Sequence, residues 1–334
     1  PGQVRALLCT GGNPLITMPN AGRLREALRE LELLVVIDIF RNETAEEAHF
    51  VLPATTPYER PDLPFSFPYF LGAQRRPYLQ ATRRVVAPPS EQWEEPRIFT
   101  ELARACGAPL FGSRALQVLL REGGRLAGGP PQIRRLGISS ETLLSLALRL
   151  ARAGSFDALA DQPHGMLRPR HRPGDFLGKR VLTEDGLLQL APPRFLEAAA
   201  RLEGVFSEEE RRIGEIRLIG KRTVRTHNSW THNGERFLRH EGETNRVFMN
   251  PGDAARVGLA DGDVADVTSR TATVRLPVRL TDDLVPGAVA IPHGWGHQHA
   301  VALSVASRAS GVNVNLLAAD GPESLDRLSG MARL

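Results

Sequence analysis

Four short stretches of this chain gather side chains suited to holding a polyanion. Gly11-Gly12-Asn13-Pro14 follows the apolar run from Val4 to Thr10. Glycines at a strand end let the backbone approach a phosphate, and unsatisfied N–H groups there form an anion-binding nest, although the same four residues also make an ordinary turn. Asp38 ends a second apolar run, Leu33 to Ile37. A carboxylate there can accept two hydrogen bonds from a ribose diol or a guanine edge; a solvated loop or capping carboxylate is the alternative, and the neighbouring Gly-rich turn favours ligand contact. Lys221 to Asn233 packs cations, hydroxyls, imidazoles and amides densely enough for a pyrophosphate, or else forms a solvated polar loop. Finally, His293-Gly294-Trp295-Gly296-His297-Gln298-His299 holds three histidines in seven residues. Their spacing matches no standard zinc pattern and no carboxylate or thiolate adjoins them, so a Gly-flexed loop presenting His293 and Trp295 to a ligand is the better reading.

The elements that must position these residues change character along the chain. Over residues 4–110 the pattern alternates as β-α-β-α-β: a strand from Val4 to Cys9, a helical stripe from Ala21 to Leu31, a buried parallel strand from Leu33 to Phe40, a short helix opened by a Thr44-x-x-Glu47 capping box, and a strand at Val51-Leu52 stopped by Pro53. This rhythm implies a parallel sheet with ligands at the carboxyl ends of its strands. Pro57 to Pro89 is a Pro- and aromatic-rich loop, long enough to be functional, and helix resumes from Pro96 to Cys106. Two helical patterns follow in residues 112–150, then a Pro/Gly/Arg-rich connection with a hairpin around Glu184-Asp185-Gly186. The last third carries short strands at 216–219, 264–267, 273–278 and 288–291 bounded by Gly, Asp and Pro, the signature of a closed β-barrel. In the stretch Met249 to Asp263, Asp253 is expected to cap a small helix and Asp261-Gly262 to turn into a strand. The expected domains are 1–112, α/β; 113–213, helical and connecting; and 214–334, β-barrel.

Composition narrows the classes. At 334 residues, with 42% hydrophobic and 24% charged, the chain reads as a globular protein of two cores. No run approaches the roughly 20 apolar residues of a membrane-spanning helix. Beginning at Pro1 and entering a strand at once, it reads as a piece of a longer polypeptide without a signal peptide. Two cysteines, Cys9 and Cys106, cannot build a disulfide framework or a Cys-x-x-Cys site. They read as small buried hydrophobes in a reducing, hence cytoplasmic, compartment. Net charge is +4 with Arg spread along the chain, which argues against nucleic-acid binding.

Residues 34 to 54, Leu-Val-Val-Ile-Asp-Ile-Phe-Arg-Asn-Glu-Thr-Ala-Glu-Glu-Ala-His-Phe-Val-Leu-Pro-Ala, with Gly-Gly-Asn-Pro upstream, resemble a block of the molybdopterin-dependent oxidoreductases of the dimethyl sulfoxide reductase and formate dehydrogenase superfamily. In that family the block holds the nucleotide end of a molybdopterin guanine dinucleotide. The usual Thr is Asn42 here and the usual Asp is His49. Asn228-Ser229-Trp230 with His232-Asn233, His293 to His297, Gly311 to Leu317, Met249 to Asp263 and the connection from Asp161 to Leu190 are similar to later segments of the same family, in the same order. The family's usual Thr after Leu317 is Ala318.

The resemblance implies an α/β, Rossmann-like parallel domain followed by a double-psi β-barrel. Its implied cofactor-binding residues are Gly12, Asn13, Pro14, Asp38, Phe40, Asn42, Glu43 and Thr44; Arg222, Thr223, Arg225, His227, Asn228, Ser229, Trp230 and His232; His293, Gly294 and Trp295; and Asn313 and Asn315. It implies neither a catalytic residue nor a metal ligand in this chain. The molybdenum or tungsten ligand, and any iron–sulfur cluster, would belong to an N-terminal half, which becomes the principal partner alongside electron-transfer subunits. Apolar surface facing that half is expected. Two other readings stand beside this one: a cofactor-free relative serving as scaffold in an electron-transfer complex, which need not keep polar cofactor contacts, and an unrelated nucleotide-binding α/β enzyme with a barrel partner domain.

Overall fold

The structure is a computed structural model that describes residues 3–63, 77–89, 91–109, 112–127, 129–130, 138–170, 172, 174, 181, 183–225, 229–239, 242 and 244–332. The chain forms two compact units, one of Pro1–Val51 with Leu190–Leu334, the other of Leu52–Gln189.

The first unit begins with β1 (Ala6–Thr10), α1 (Pro14–Thr17), α2 (Ala21–Arg29), β2 (Leu33–Asp38), α3 (Glu43–Glu46) and β3 (Phe50–Pro53), with sheet order β1-β2-β3. Strands β1 and β2 are parallel, in register from Ala6↔Leu33 to Thr10↔Ile37. The central position of β2 explains its unbroken apolar run: Leu34 to Ile37 are all buried, because both faces are covered. Leu28 of α2 packs with Leu15, Leu34 and Val36. Each such burial contributes about 1.5–3 kcal/mol. The strand expected to reach Phe40 stops at Asp38, whose Oδ1 accepts the Phe40 N–H and turns the chain. The capping box expected at Thr44 is also corrected. Helix α3 is capped by Asn42, whose side chain accepts from the Thr44 and Ala45 amides, while Glu47 pairs with Arg25 and Arg29.

The second unit contains β4 (Tyr78–Leu79), α4 (Glu95–Ala105), α5 (Arg114–Ala127), α6 (Ser140–Leu150), α7 (Phe156–Ala160) and β5 (Met166–Leu167). Its core is Leu63, Leu148, Ala153, Phe156 and Leu159, and β4 pairs antiparallel with β5. Cys106, read as buried, is exposed at the end of α4, because the helix turns Ile98 inward and leaves its last turn in solvent. Around Gly186 a turn forms, with the Gly186 amide on the Thr183 carbonyl, but no strands flank it among the described residues.

The chain returns to the first unit through α8 (Pro193–Ala199) and α9 (Leu202–Arg211). There follow β6 (Arg217–Lys221), α10 (Glu235–Leu238), β7 (Val247–Met249), α11 (Pro251–Arg256), β8 (Val264–Thr268), β9 (Thr273–Leu280) and β10 (Ala288–Pro292). The strands form a five-stranded mixed sheet ordered β6-β10-β7-β9-β8. Alternation along β9 sends Val274, Leu276 and Val278 into a core with Val247, Met249, Val289 and Ile291. Helix α11 is capped by Asn250 rather than by Asp253. Asp253 lies a turn further in, where its carboxylate accepts the Gly287 amide and pairs with Arg256.

Candidate functional site

Two pairs of parallel strands deliver the candidate residues. At the first, β1 ends at Thr10 beside Ile37, so the Gly11–Asn13 and Ile39–Asn42 turns leave one end of the sheet side by side. Gly11 sits at φ +58 with no atom within 4 Å of where a Cβ would lie, and its amide donates to the Ile37 carbonyl. Such a backbone suits glycine and leaves the turn open to a ligand. Asp38, half-buried, is oriented by the Phe40 amide (2.9 Å) and Asn42 Nδ2 (3.2 Å). Pro14 opens α1, and Gly12 and Phe40 are half-buried.

Asn13 does not cap α1 with its side chain; it belongs to a buried polar chain. Thr44 Oγ1 receives the Leu15 amide (3.3 Å) and donates to Asn13 Oδ1 (2.9 Å). Asn13 Nδ2 donates to Glu43 Oε2 (2.6 Å), and Glu43 Oε1 meets His297 Nδ1 (2.8 Å). His297 Nε2 in turn reaches the Gly294 carbonyl (2.8 Å). Glu43 is 1% exposed and His297 2%. Burial pushes the Glu43 carboxyl up, but His297, Asn13 and the residue's own amide outweigh it and hold the carboxyl below the usual glutamate range.

At the second pair, β6 and β10 are parallel and end together at Lys221↔Pro292. The loops after them therefore leave the same end of the sheet, and the His293 amide bonds the Lys221 carbonyl. Arg222 and Arg225 are exposed, Thr223 is half-buried, and Lys221 Nζ lies 3.6 Å above the Phe248 ring. His227 and Asn228 lie outside the described residues. Ser229 opens a 3₁₀ turn to Asn233; Trp230 within it is 55% exposed, whereas His232 is buried against the edge of Trp295, ring centroids 4.7 Å apart. Trp295 is buried too, at 2%, and its indole Nε1 finds no acceptor among the described residues. Gly294 is buried and His293 half-buried. At Gly296, φ +100, a Cβ would lie 2.7 Å from the Asn313 amide nitrogen, so only glycine passes.

Asn313 and Asn315 extend the junction. Asn313 Nδ2 donates to the Leu15 carbonyl (2.8 Å) and Asn315 Nδ2 to that of Ile16 (2.6 Å). Asn20 bonds Asp320 and, through its amide, the Ala318 carbonyl. The structure thus brings Asn13, Asn42, Glu43, Thr44, Gly294, Asn313 and Asn315 into protein-to-protein bonds, while Gly11, Asp38, Arg222, Arg225, Trp230 and His293 keep solvent-accessible surface at the strand ends. Three structuring residues escaped sequence reasoning. His297 holds Glu43; Asn245 joins the Pro292 and Val312 carbonyls; Gln298 joins those of Ala309 and Gly311. A signal existed for His297, the middle of three histidines in its motif, but none for Asn245. His49 accepts the Leu34 amide, a local bond between β2 and the approach to β3.

Residues 1–105 match the family described as Molybdopterin oxidoreductase, and residues 216–333 the Molydopterin dinucleotide binding domain. The chain is 26% identical over 290 residues to the F420-dependent formate dehydrogenase subunit alpha of Methanocaldococcus jannaschii, covering 86% of this chain and 38% of that protein. It is 25% identical over 309 residues to the dimethyl sulfoxide/trimethylamine N-oxide reductase of Cereibacter sphaeroides, covering 87% and 36%. The chain therefore spans little more than a third of these relatives. Acetylene hydratase from Pelobacter acetylenicus shares the fold, with TM-score 0.68 and 18% identity over 99% of this chain and 43% of that one. The chain carries a molybdopterin oxidoreductase domain and a molybdopterin dinucleotide-binding domain, homologous to formate dehydrogenase and dimethyl sulfoxide reductase family members. Among the described residues no helix is long and apolar enough to cross a membrane.

Proposed function

We propose that this chain is the C-terminal part of a cytoplasmic molybdenum- or tungsten-dependent oxidoreductase and grips the guanine dinucleotide and pterin parts of its cofactor. One observation carries the reading: the carboxyl ends of two parallel strand pairs are hydrogen-bonded to each other through Glu43 and His297. Open strand ends of this kind are where α/β sheets hold ligands. The donor set fits the group. Open space at Gly11 and the amides after it suit phosphate, exposed Arg222 and Arg225 supply cations, and the oriented Asp38 carboxylate suits a guanine edge or ribose. Trp230 and His293 offer surface to the pterin, and the family resemblance assigns His227 and Asn228 to the cofactor as well. On this reading the mixed sheet β6 to β10 corresponds to the double-psi barrel that the resemblance implies. When bound, the cofactor supplies the redox-active metal; the metal ligand and any iron–sulfur cluster belong to an N-terminal half, and electron-transfer subunits are further partners.

Equilibrium dialysis of this chain against guanosine diphosphate tests the grip. Tighter binding of GDP than ADP is expected, with Arg222→Ala weakening both and Asp38→Ala removing the preference. No preference in the wild type, or none lost in Asp38→Ala, refutes the assignment. One observation favours the scaffold alternative: Asn13, Glu43, Thr44 and Asn313 are retained for bonds within the protein, which a cofactor-free relative would also need. Metal and guanine analysis of the full-length polypeptide separates the two, since the scaffold contains neither.

A further inference from the structure

The geometry points to His297 as a positioning residue: a buried imidazolium paired with ionised Glu43, clamping the Gly11–Pro14 turn to the His293–His299 loop. The hydrogen-bond directions around the pair argue for this charge state. The Gly294 carbonyl can only accept, so His297 Nε2 carries a proton. At the other end the Leu15 amide donates to Thr44 Oγ1, which turns the hydroxyl proton toward Asn13 Oδ1. That orients Asn13 with its NH₂ on Glu43 Oε2. Glu43 therefore receives Asn13 on one oxygen, and its own amide is also directed at the carboxylate. A carboxylate with several donors favours the ionised form, and the proton shared across the 2.8 Å contact then rests on His297 Nδ1. The downward displacement of the Glu43 carboxyl has the same sign. Among the described residues, the titratable ring facing His297 is that of His232, with centroids 5.5 Å apart and a tilted approach. A neutral pair, with the acid donating to an unprotonated Nδ1, is the alternative the test must exclude.

The consequence for the site rests on the cofactor reading; the charge state does not. The clamp joins the turn proposed to cradle phosphate to the loop proposed to face the pterin, so one ion pair sets the spacing of both.

Glu43→Gln distinguishes the alternatives without leaving a hole. A glutamine carbonyl can accept from Asn13 while its NH₂ donates to Nδ1 of a neutral His297 that keeps Nε2–H on Gly294. In the chain labelled with ¹⁵N in its histidine rings, wild-type His297 is expected to show protons on both nitrogens at neutral pH, and Glu43→Gln on Nε2 alone. A wild-type ring protonated only at Nε2 overturns the ion pair, whether or not the variant folds. For the clamp, amide exchange at Leu15 and Ala300 is expected to quicken roughly tenfold in Glu43→Gln, the difference between a charge-assisted and a neutral bond. Unchanged exchange overturns the positioning role. GDP dialysis of the wild type is read separately: no binding defeats the cofactor reading while the ring and exchange results still decide the clamp.

Discussion

Asn42 carries two structural duties, and substitutions can separate them. Its Oδ1 caps α3 by accepting the Thr44 and Ala45 amides, both at 3.1 Å, and its Nδ2 holds Asp38 at 3.2 Å. Losing an asparagine cap costs about 1 kcal/mol, and here the two amides sit in buried residues, so water replaces the lost acceptor poorly. The bond to half-buried Asp38 adds roughly 0.5–1 kcal/mol, because water can partly take its place. Asn42→Ala is thus expected to lose about 2 kcal/mol, which in a unit of this size is a fall of about 4–8 °C in Tm. Asn42→Thr, the family's usual residue, keeps an oxygen for the cap but offers no amide to Asp38, and should lose about half as much. Asn42→Asp keeps the cap and sets a second carboxylate against Asp38. Their repulsion raises the folded pKa of the pair, so stability is present at low pH and lost as pH rises through the raised value. Thermal and urea unfolding at neutral and mildly acidic pH read all three. Asn42→Ala within about 0.5 kcal/mol of wild type, or Asn42→Asp more stable than Asn42→Thr at neutral pH, would refute the double role.

Three other substitutions or titrations probe different parts of the unit. Gly311→Ala places a methyl against the Trp295 ring, with Trp295 itself buried, and is expected to cost about 1–3 kcal/mol by urea unfolding. Trp230→Ala, at an exposed position, should leave stability within about 0.5 kcal/mol of wild type while weakening the proposed GDP binding of this chain; a large loss of stability would make it a structural residue instead. Glu43 is held below its ordinary range in the folded state, so its contribution is complete above that range and drains as pH falls through the lowered value. Acid unfolding followed by circular dichroism should therefore lose that part of its pH dependence in Glu43→Gln, and an unchanged acid limb would contradict it.

The strand ends were legible in the sequence because apolar runs and Gly or Asp punctuation mark them directly. The ends fell within two residues of the expected Cys9 and Phe40: β1 stops at Thr10 and β2 at Asp38, in neighbouring parallel strands. The error at Thr44 was local: two oxygen-bearing residues lay within reach of one helix start, and periodicity cannot say which will cap. The structure gives the cap to Asn42 because Thr44 Oγ1 is turned to Asn13, 31 residues away in sequence. Asp253 failed for the same reason, being engaged by Gly287 while Asn250 capped α11. Cys106 failed because composition ranks cysteine as buried without knowing where the apolar stripe of its helix ends. The pairing of Glu43 with His297 crosses 254 residues, and no local pattern encodes it.

That long-range pairing changes what retained polar residues mean. Asn13, Glu43, Asn313 and Asn315 belong to motifs whose resemblance points to a cofactor, yet Glu43, Asn313 and Asn315 are bonded to protein across the junction between the N-terminal sheet and the C-terminal segments, and Asn13 is bonded to Glu43 beside it. A buried polar group stripped of its partner costs about 1–3 kcal/mol, so a relative that lost the cofactor would still be held to these residues by stability. Their presence cannot then decide between enzyme and scaffold. Arg222, Arg225 and Trp230 can, since they are exposed at the strand ends and stability does not oblige the chain to keep them. Removing Arg222 and Arg225 together should leave Tm within about 2 °C of wild type, while GDP retention on dialysis falls by about tenfold or more. A double variant that binds GDP like wild type would shift the balance to the scaffold.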